Sequence, residues 1–260
     1  MFFAFLQNWS ALWNQAIILH SVVGHFWSLA VEEQFYLLWP LLVWKLKPGL
    51  LLPVSLCGAV CALLLRTGLV SHFGPHFWIQ PLTPTRGEGL LIGSALAAFS
   101  AQYGRLPAIA LKTAAAIGGA ILLLMLVFDT AEFVNTDAGP YMYTIGITAL
   151  GLIFGALVGS SHHPTSPLTP LLTAKWLRNF GKYSYGLYVY HVPVYLLLTR
   201  TLASRFGVRL PLSTLRWVLC LILLIGISYA LAWCSFEFFE SRFLALKNRF
   251  SPREHLPELG

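Results

Sequence analysis

Charged residues are scarce in this chain of 260 residues. Aspartate, glutamate, lysine and arginine together make up 10% of it, whereas 57% of the residues are hydrophobic. An average soluble domain is about 25% charged, so this shortage excludes an ordinary soluble protein and indicates an integral membrane protein. The net charge of +7 comes from basic residues between apolar stretches, which is typical of membrane loops and does not indicate a nucleic-acid-binding surface.

Cysteines are also few: Cys57, Cys61, Cys220 and Cys234 all lie in apolar stretches. Cys57 and Cys61 share one helical face, but no histidine or second cysteine pair accompanies them. The sequence therefore predicts neither a metal site nor a disulfide, and we expect the cysteines to be small packing residues.

Apolar runs of membrane length recur along the chain and predict an all-α, polytopic membrane bundle of about seven transmembrane helices. The predicted helices are at 26–46, 49–66, 87–104, 111–128, 141–160, 183–200 and 213–238. The longest predicted loops are 67–84, 129–140 and 161–182. We expect residues 1–250 to form one membrane domain and residues 251–260 to form a short tail.

Loop charges orient the predicted bundle, because basic residues concentrate on the cytoplasmic side. Eleven basic residues fall on one side, namely Lys45, Lys47, Arg105, Lys112, Lys175, Arg178, Lys182, Arg242, Lys247, Arg249 and Arg253. Six fall on the other side, namely Arg66, Arg86, Arg200, Arg205, Arg209 and Arg216. The C-terminus is therefore predicted to be cytoplasmic, with Glu32 and Glu33 in the outer half of the first helix.

Two adjacent acids stand near the start of that helix, in the run HFWSLAVEEQFYLLWP at 25–40. Acids in a membrane-length helix usually face the protein interior or a wet cavity. We expect at least one, with Glu32 favoured over Glu33, to orient a catalytic base or a substrate hydroxyl. Trp27 and Ser28 precede Glu32 by four to five residues and are expected on its face. Alternatively, the acids complement the helix dipole and Ser28 caps the helix.

A second stretch, TPTRGEGLLIGSALA at 83–97, begins a later helix with Arg86 and Glu88. Arg86 is expected either to pair with Glu88 or to bind an anionic group, or else to extend towards lipid headgroups. A third stretch, YSYGLYVYHVPV at 183–194, places His191 among tyrosines. Packing and hydrogen bonding are favoured for His191, although a membrane histidine can also act as a base.

These stretches resemble the motifs of the acyltransferase family 3 membrane proteins. WSLAVEEQFYLLWP at 27–40 closely resembles the family signature. TRGEGLLIGSALA at 85–97 is similar to the pattern Thr-x-x-Arg-x-Asp-x-Leu-x-x-Gly, with Glu88 where aspartate is usual. YSYGLYVYHVPV resembles Ser-Tyr-x-x-Tyr-x-x-His-x-Pro, and FFESRFLALK at 238–247 resembles the terminal Ile-Glu-x-Pro segment without its proline.

The resemblance implies a core of about ten helices that moves acyl groups onto hydroxyls, mostly of cell-surface sugars. Family members usually begin with a helix that bears the proposed catalytic histidine, and a third helix carries paired arginines thought to engage the acyl donor. Neither precedes Met1, so we expect the seven helices to be the C-terminal portion of the family core. His20 and His25 are not assigned the missing role.

The sequence thus predicts a multi-pass O-acyltransferase of the bacterial inner membrane. Acyl-coenzyme A, with acetyl as the expected group, would be the donor substrate, and a hydroxyl of an envelope or secreted glycan such as lipopolysaccharide would be the acceptor. Trp27, Ser28, Arg86, Glu88 and His191 are the expected substrate-binding residues. No bound cofactor is expected, and a partner chain could supply the absent helices. Two alternatives stay open: a non-enzymatic transporter or assembly scaffold, and an inactive remnant.

Overall fold

The computed structural model describes residues 5–12, 22–128, 141–161, 163, 166–206 and 214–250. His20, His162, the acidic loop 129–140 and the tail 251–260 lie outside the described residues. The chain divides into two compact units, Met1–Leu172 and Thr173–Gly260, and each is described by itself.

The first unit is built from long apolar helices joined by short turns. Its helices are α1 (Trp27–Lys45), α2 (Pro48–Phe73), α3 (Thr83–Arg86), α4 (Glu88–Tyr103), α5 (Ala108–Phe128), α6 (Ile147–Ser161) and α7 (Thr169–Leu172). Its 3-10 turns are Gln7–Leu12, Gly24–Phe26 and Phe77–Ile79, and a π-helical turn, Met142–Gly146, leads into α6. Helix α2 packs against α4, while α6 packs against both α4 and α5.

The second unit contains α8 (Lys175–Lys182), α9 (Ser184–Phe206), α10 (Thr214–Ser235) and α11 (Ser241–Phe250). A π-helical turn, Phe236–Glu240, joins α10 to α11. Helices α9 and α10 pack side by side. Their approach is close, since a Cβ added to Gly186 would lie 2.8 Å from the Cβ of Ala232.

Every long helix predicted from the sequence is present, and the described residues contain no strand, which confirms the all-α class. Helix α2 is longer than predicted because nothing breaks it before Gly74, whose φ of +84° ends it. The predicted loop 161–182 contains α7 and α8. Pro170 lies in the first turn of α7, where proline is tolerated.

Four described segments are both long and apolar enough to cross a membrane: Pro48–Phe73, Ala108–Val127, Met142–Ser161 and Trp217–Ala245. Only 11% to 17% of the most apolar window of each segment is buried inside the protein, so most of each segment is not enclosed by the rest of the described chain, as expected where lipid covers it. Membrane crossing by the other three long helices stays a prediction. The expectation of packed cysteines is wrong for Cys57, Cys61 and Cys234, which are exposed on these outward faces.

Gly118 sets the distance between α5 and α6. A Cβ at this position would lie 2.6 Å from the Ala149 carbonyl oxygen and 2.8 Å from Ile153 Cγ1. We therefore expect Gly118→Ala to force the helices apart and to lower the free energy of unfolding by about 1–3 kcal/mol, the usual cost of overpacking. Thermal unfolding of the purified chain in detergent, followed by circular dichroism, measures the effect.

Gly119 provides the matched control, because a Cβ there would meet no heavy atom within 4 Å. Gly119→Ala should be neutral or slightly stabilising, since alanine favours helix over glycine by about 1 kcal/mol. Equal melting temperatures for the two variants would show that the α5–α6 contact tolerates a methyl group.

Candidate functional site

Gln34 is the centre of a polar network at one end of the first unit. Its Nε2 donates to Asn8 Oδ1 at 2.9 Å and to the Phe5 carbonyl at 2.5 Å. Its Oε1 accepts hydrogen bonds from the Thr83 hydroxyl and, at 3.4 Å, from Trp9 Nε1. One side chain of α1 therefore holds both the N-terminal segment and the first residue of α3.

Asn8 completes this network from the N-terminal 3-10 turn. Its side chain is fully buried, and its Nδ2 donates to the Pro81 carbonyl at 3.0 Å and to Thr83 Oγ1 at 2.9 Å. A hydroxyl can accept one bond while donating another, so Thr83 accepts from Asn8 and donates to Gln34. The result is a closed ring of three side chains, which we call the Gln34 ring: Asn8, Gln34 and Thr83.

A buried ion pair lies at the same end of the unit. Arg66 Nη2 lies 2.7 Å from Glu88 Oε2, and the two side chains are 0% and 3% exposed. The same guanidinium donates to the carbonyls of Thr85, at 2.7 Å, and Thr144, at 2.9 Å. It also donates to Thr148 Oγ1 at 3.1 Å. Arg66 thereby joins α2 to α3, α4, α6 and the π-helical turn.

The expectation that Glu88 pairs with Arg86 is wrong, because Glu88 pairs with Arg66. Residues two positions apart do not face each other on a helix, so Arg86 and Glu88 point in different directions. The prediction also placed Arg66 at the edge of a loop. Its position inside a long apolar run was the available signal, since a charge there needs a buried partner.

Arg86 instead lies over an aromatic ring of α1. Its Cζ is 5.6 Å from the centroid of the Trp27 ring, and its Nη1 donates to Gln80 Oε1 at 3.4 Å. Within the described part of the chain, no carboxylate lies within ion-pair distance of it. Burial lowers the pKa of Arg86, the charge of Arg66 lowers it further, and Glu88 partly opposes both. Arg86 is a half-buried cation that still has donors available for an anion.

The expected burial of Glu32 is wrong: its side chain is exposed, while Glu33 is half-buried. The buried positions of α1 are Ala30 and Val31, and Gln34 follows Ala30 by four residues. Successive helical residues turn by about 100°, so Glu32 points away from the side that carries Ala30 and Gln34, whereas Glu33 lies at the edge of that side. Within this motif, Gln34 is therefore the side chain that bonds to other segments of the unit. The sequence pattern alone does not single it out.

Trp27 and Ser28 are both half-buried at the start of α1. His191 belongs to the second unit, where its Nδ1 lies 2.7 Å from the Tyr188 carbonyl and its ring centroid is 5.6 Å from that of Tyr188. This contact agrees with hydrogen bonding and packing. His25 packs edge-on against Phe26, with ring centroids 4.5 Å apart.

The end of the first unit thus gathers an indole, a guanidinium, amides and hydroxyls. Such groups can hydrogen-bond a sugar, stack on its apolar face and pair with an anionic substituent. The described residues contain no group of three or more histidine, cysteine or acidic side chains that could hold a metal ion.

Comparisons with known proteins identify the family of the chain. The Acyltransferase domain family model matches residues 1–233. The chain is 33% identical over 214 residues to peptidoglycan O-acetyltransferase OatA of Listeria monocytogenes, covering 77% of this chain and 34% of that protein. It is 29% identical over 212 residues to the putative peptidoglycan O-acetyltransferase YrhL of Bacillus subtilis, covering 75% and 32%.

An O-acetyltransferase OatA of Staphylococcus aureus is 30% identical over 176 residues, covering 65% of this chain and 29% of that protein. The chain therefore spans about a third of the length of these curated relatives. No solved structure matches. Because the family model covers most of the chain and includes the stretches that build the Gln34 ring and the Arg66–Glu88 pair, the chain belongs to acyltransferase family 3.

Proposed function

We propose that this chain acts in a membrane O-acetyltransferase that transfers an acetyl group to a hydroxyl of a cell-wall glycan. The family and the names of the relatives support acyl transfer to oxygen and favour peptidoglycan as the acceptor. Acetyl-coenzyme A is the proposed donor. The proposed location is the bacterial inner membrane, with the C-terminus in the cytoplasm and the Gln34 ring on the outer side, where the wall lies.

One observation carries the proposal: two distant motifs meet at one end of the first unit. Gln34 of the first motif accepts a hydrogen bond from Thr83, which begins the second, and Trp27 of the first lies beneath Arg86 of the second. Binding groups held by a rigid, mutually bonded frame orient a substrate at low entropic cost. We assign this end to the acceptor.

Individual roles follow from position. Trp27 would stack on the sugar, Ser28 would hydrogen-bond it, and Arg86 would receive an anionic group. Glu88 would act indirectly by neutralising Arg66.

Glu32, exposed beside this end, would contact the acceptor hydroxyl or a base, with Glu33 as the alternative. His191 is proposed as a substrate-binding residue of the second unit. The general base is assigned to no residue of this chain.

The proposal is tested by deleting the gene in its source organism and measuring the acetate that mild base releases from purified cell wall. We expect deletion to lower wall O-acetylation and wild-type chain to restore it. Trp27→Ala should restore about tenfold less, a loss of about 1.4 kcal/mol of transition-state stabilisation.

Trp44→Ala is the matched control, because Trp44 lies near the other end of α1 and is 82% exposed; it should restore O-acetylation fully. If the protein were instead a transporter or a scaffold, neither deletion nor Trp27→Ala should lower the acetate content of the wall. If deletion leaves wall acetate unchanged, or if Trp27→Ala matches wild type at equal expression, the proposed acceptor site is wrong.

A further inference from the structure

A groove runs along the first unit between α4 and α6, and Arg86 closes one end of it. We call it the Arg86 groove. It encloses about 360 Å³ and is lined on the α4 side by Gly89, Gly93 and Leu96, and on the α6 side by Leu150, Phe154 and Val158. Apart from Arg86, these lining side chains are apolar or absent, so the groove suits a hydrocarbon.

The floor of the groove is open because two glycines stand where side chains would otherwise fill it. A Cβ built on Gly89 or Gly93 would meet no heavy atom within 4 Å. These positions are four residues apart and so lie on one face of α4. Close packing with a neighbouring helix therefore does not require glycine at either position, and the missing side chains leave the groove open.

The length of the groove matches one leaflet of a bilayer. From Arg86 to Leu96 the chain advances ten residues, or about 15 Å at the helical rise of about 1.5 Å per residue. Half of a hydrocarbon core of about 30 Å is the same length. A second hollow of about 400 Å³ begins at Gly93 and Leu96 and ends at Arg105. Each of the two hollows thus has an arginine at the end away from the other hollow, Arg86 in one and Arg105 in the other.

Charge at the head of the groove favours an anion. Arg86 is half-buried, and its one described side-chain hydrogen bond, to Gln80, is long at 3.4 Å. Glu88, the acid closest to it in sequence, is occupied by Arg66 at 2.7 Å. A guanidinium with unused donors binds phosphate through two parallel hydrogen bonds.

We propose that the Arg86 groove binds one anionic phospholipid, with its phosphate on Arg86 and one acyl chain between α4 and α6. The lipid phosphate is then the anionic group assigned to Arg86, and the acceptor sugar is left to Trp27 and Ser28. This inference depends on Arg86 as an anion-binding residue but not on acyl transfer, so lipid binding is measured without any acyl donor.

Native mass spectrometry of the full purified chain tests the proposal, with dioleoyl-phosphatidylglycerol or dioleoyl-phosphatidylcholine added at matched concentrations. Wild type should bind one phosphatidylglycerol about tenfold more tightly than phosphatidylcholine. Arg86→Gln should abolish that preference, because it removes the charge at the head of the groove. Gly93→Phe should abolish binding of both lipids, because the ring occupies the groove.

Gly119→Phe is the matched control, since Gly119 also has nothing within 4 Å but lies on α5 away from the groove; it should bind lipid as wild type does. Gly89→Leu replaces Gly93→Phe if the phenylalanine variant does not melt cooperatively. The proposal is overturned if Gly93→Phe and Gly89→Leu retain the bound lipid, or if the preference survives Arg86→Gln.

Two other results would also overturn the proposal. Displacement of the lipid by glycerol 3-phosphate at similar concentration would mean that the site takes a free phosphate. Dissociation of a dimer by Gly93→Phe, with lipid binding unchanged, would mean that a second copy of the chain occupies the groove.

Discussion

Replacing Glu88 with leucine should lower the free energy of unfolding by about 3–5 kcal/mol, the usual cost of removing one partner from a buried ion pair. Glu88 is 3% exposed and contacts Arg66, which is fully buried. Leucine would leave the arginine charge in an apolar interior with only carbonyl and hydroxyl acceptors. Denaturant or thermal unfolding of the purified chain in detergent, followed by circular dichroism, measures this loss.

The exposed pair Lys182–Glu237 is the control, since its side chains are 42% and 37% exposed. Glu237→Leu should change the melting temperature little, because solvent screens exposed pairs. The double variant Arg66→Met with Glu88→Leu should recover part of the stability, since no unpaired charge remains. A Glu88→Leu chain that melts at the wild-type temperature would mean that the pair contributes nothing to folding.

Replacing Gln34 with leucine should reduce wall O-acetylation about a hundredfold, the scale of loss when a binding site shifts by about 1 Å. Leucine can neither accept from Thr83 nor donate to Asn8, and unsatisfied buried polar groups cost about 1–3 kcal/mol each. The N-terminal turn would then separate from α1. Wall acetate in the complemented deletion strain measures the loss of transfer, and limited proteolysis of the segment before α1 reports the loss of anchoring.

Gln102→Leu is the matched substitution, because Gln102 donates one hydrogen bond, to the Pro48 carbonyl, near the opposite end of α4. It should leave both wall acetate and proteolysis unchanged. If Gln34→Leu restores O-acetylation as well as Gln102→Leu does, the Gln34 ring has no part in the reaction.

The fold was predictable where a local pattern decides it. Each of the seven long apolar runs in the sequence forms a long helix. The prediction succeeds because an apolar run of this length indicates a helix that is buried or faces lipid along its whole length. The sequence predicts that this helix ends at residue 66, whereas α2 continues to Phe73 because the charge of Arg66 has a buried partner. Helix α8 was overlooked because it is short and strongly amphipathic, with basic residues in a segment marked by prolines.

The candidate site was predictable only in part, since its partners are far apart in sequence. The structure brings together the side chains of Trp27 and Arg86, which belong to two separate predicted motifs. The contacts of Gln34 with Asn8 and Thr83 span 26 and 49 residues, and no local spacing predicts such pairing. Acidic residues in a membrane helix are rare and suggest a function. The sequence therefore favours Glu32 over Gln34, the neutral amide that lies on the buried side of α1.

The Arg66–Glu88 pair also affects how the chain enters the membrane. Helix α2 is synthesised before α4, so its arginine reaches the bilayer before its carboxylate does. An unpaired arginine at the centre of a helix costs about 2.5–3.5 kcal/mol during insertion by the translocon, and the apolar length of α2 offsets that cost. Where α4 also crosses the membrane, as the sequence predicts, the pair can form only if both helices are inserted at matching depth. On that topology we expect the ion pair to fix the register of α2 against α4 during biosynthesis.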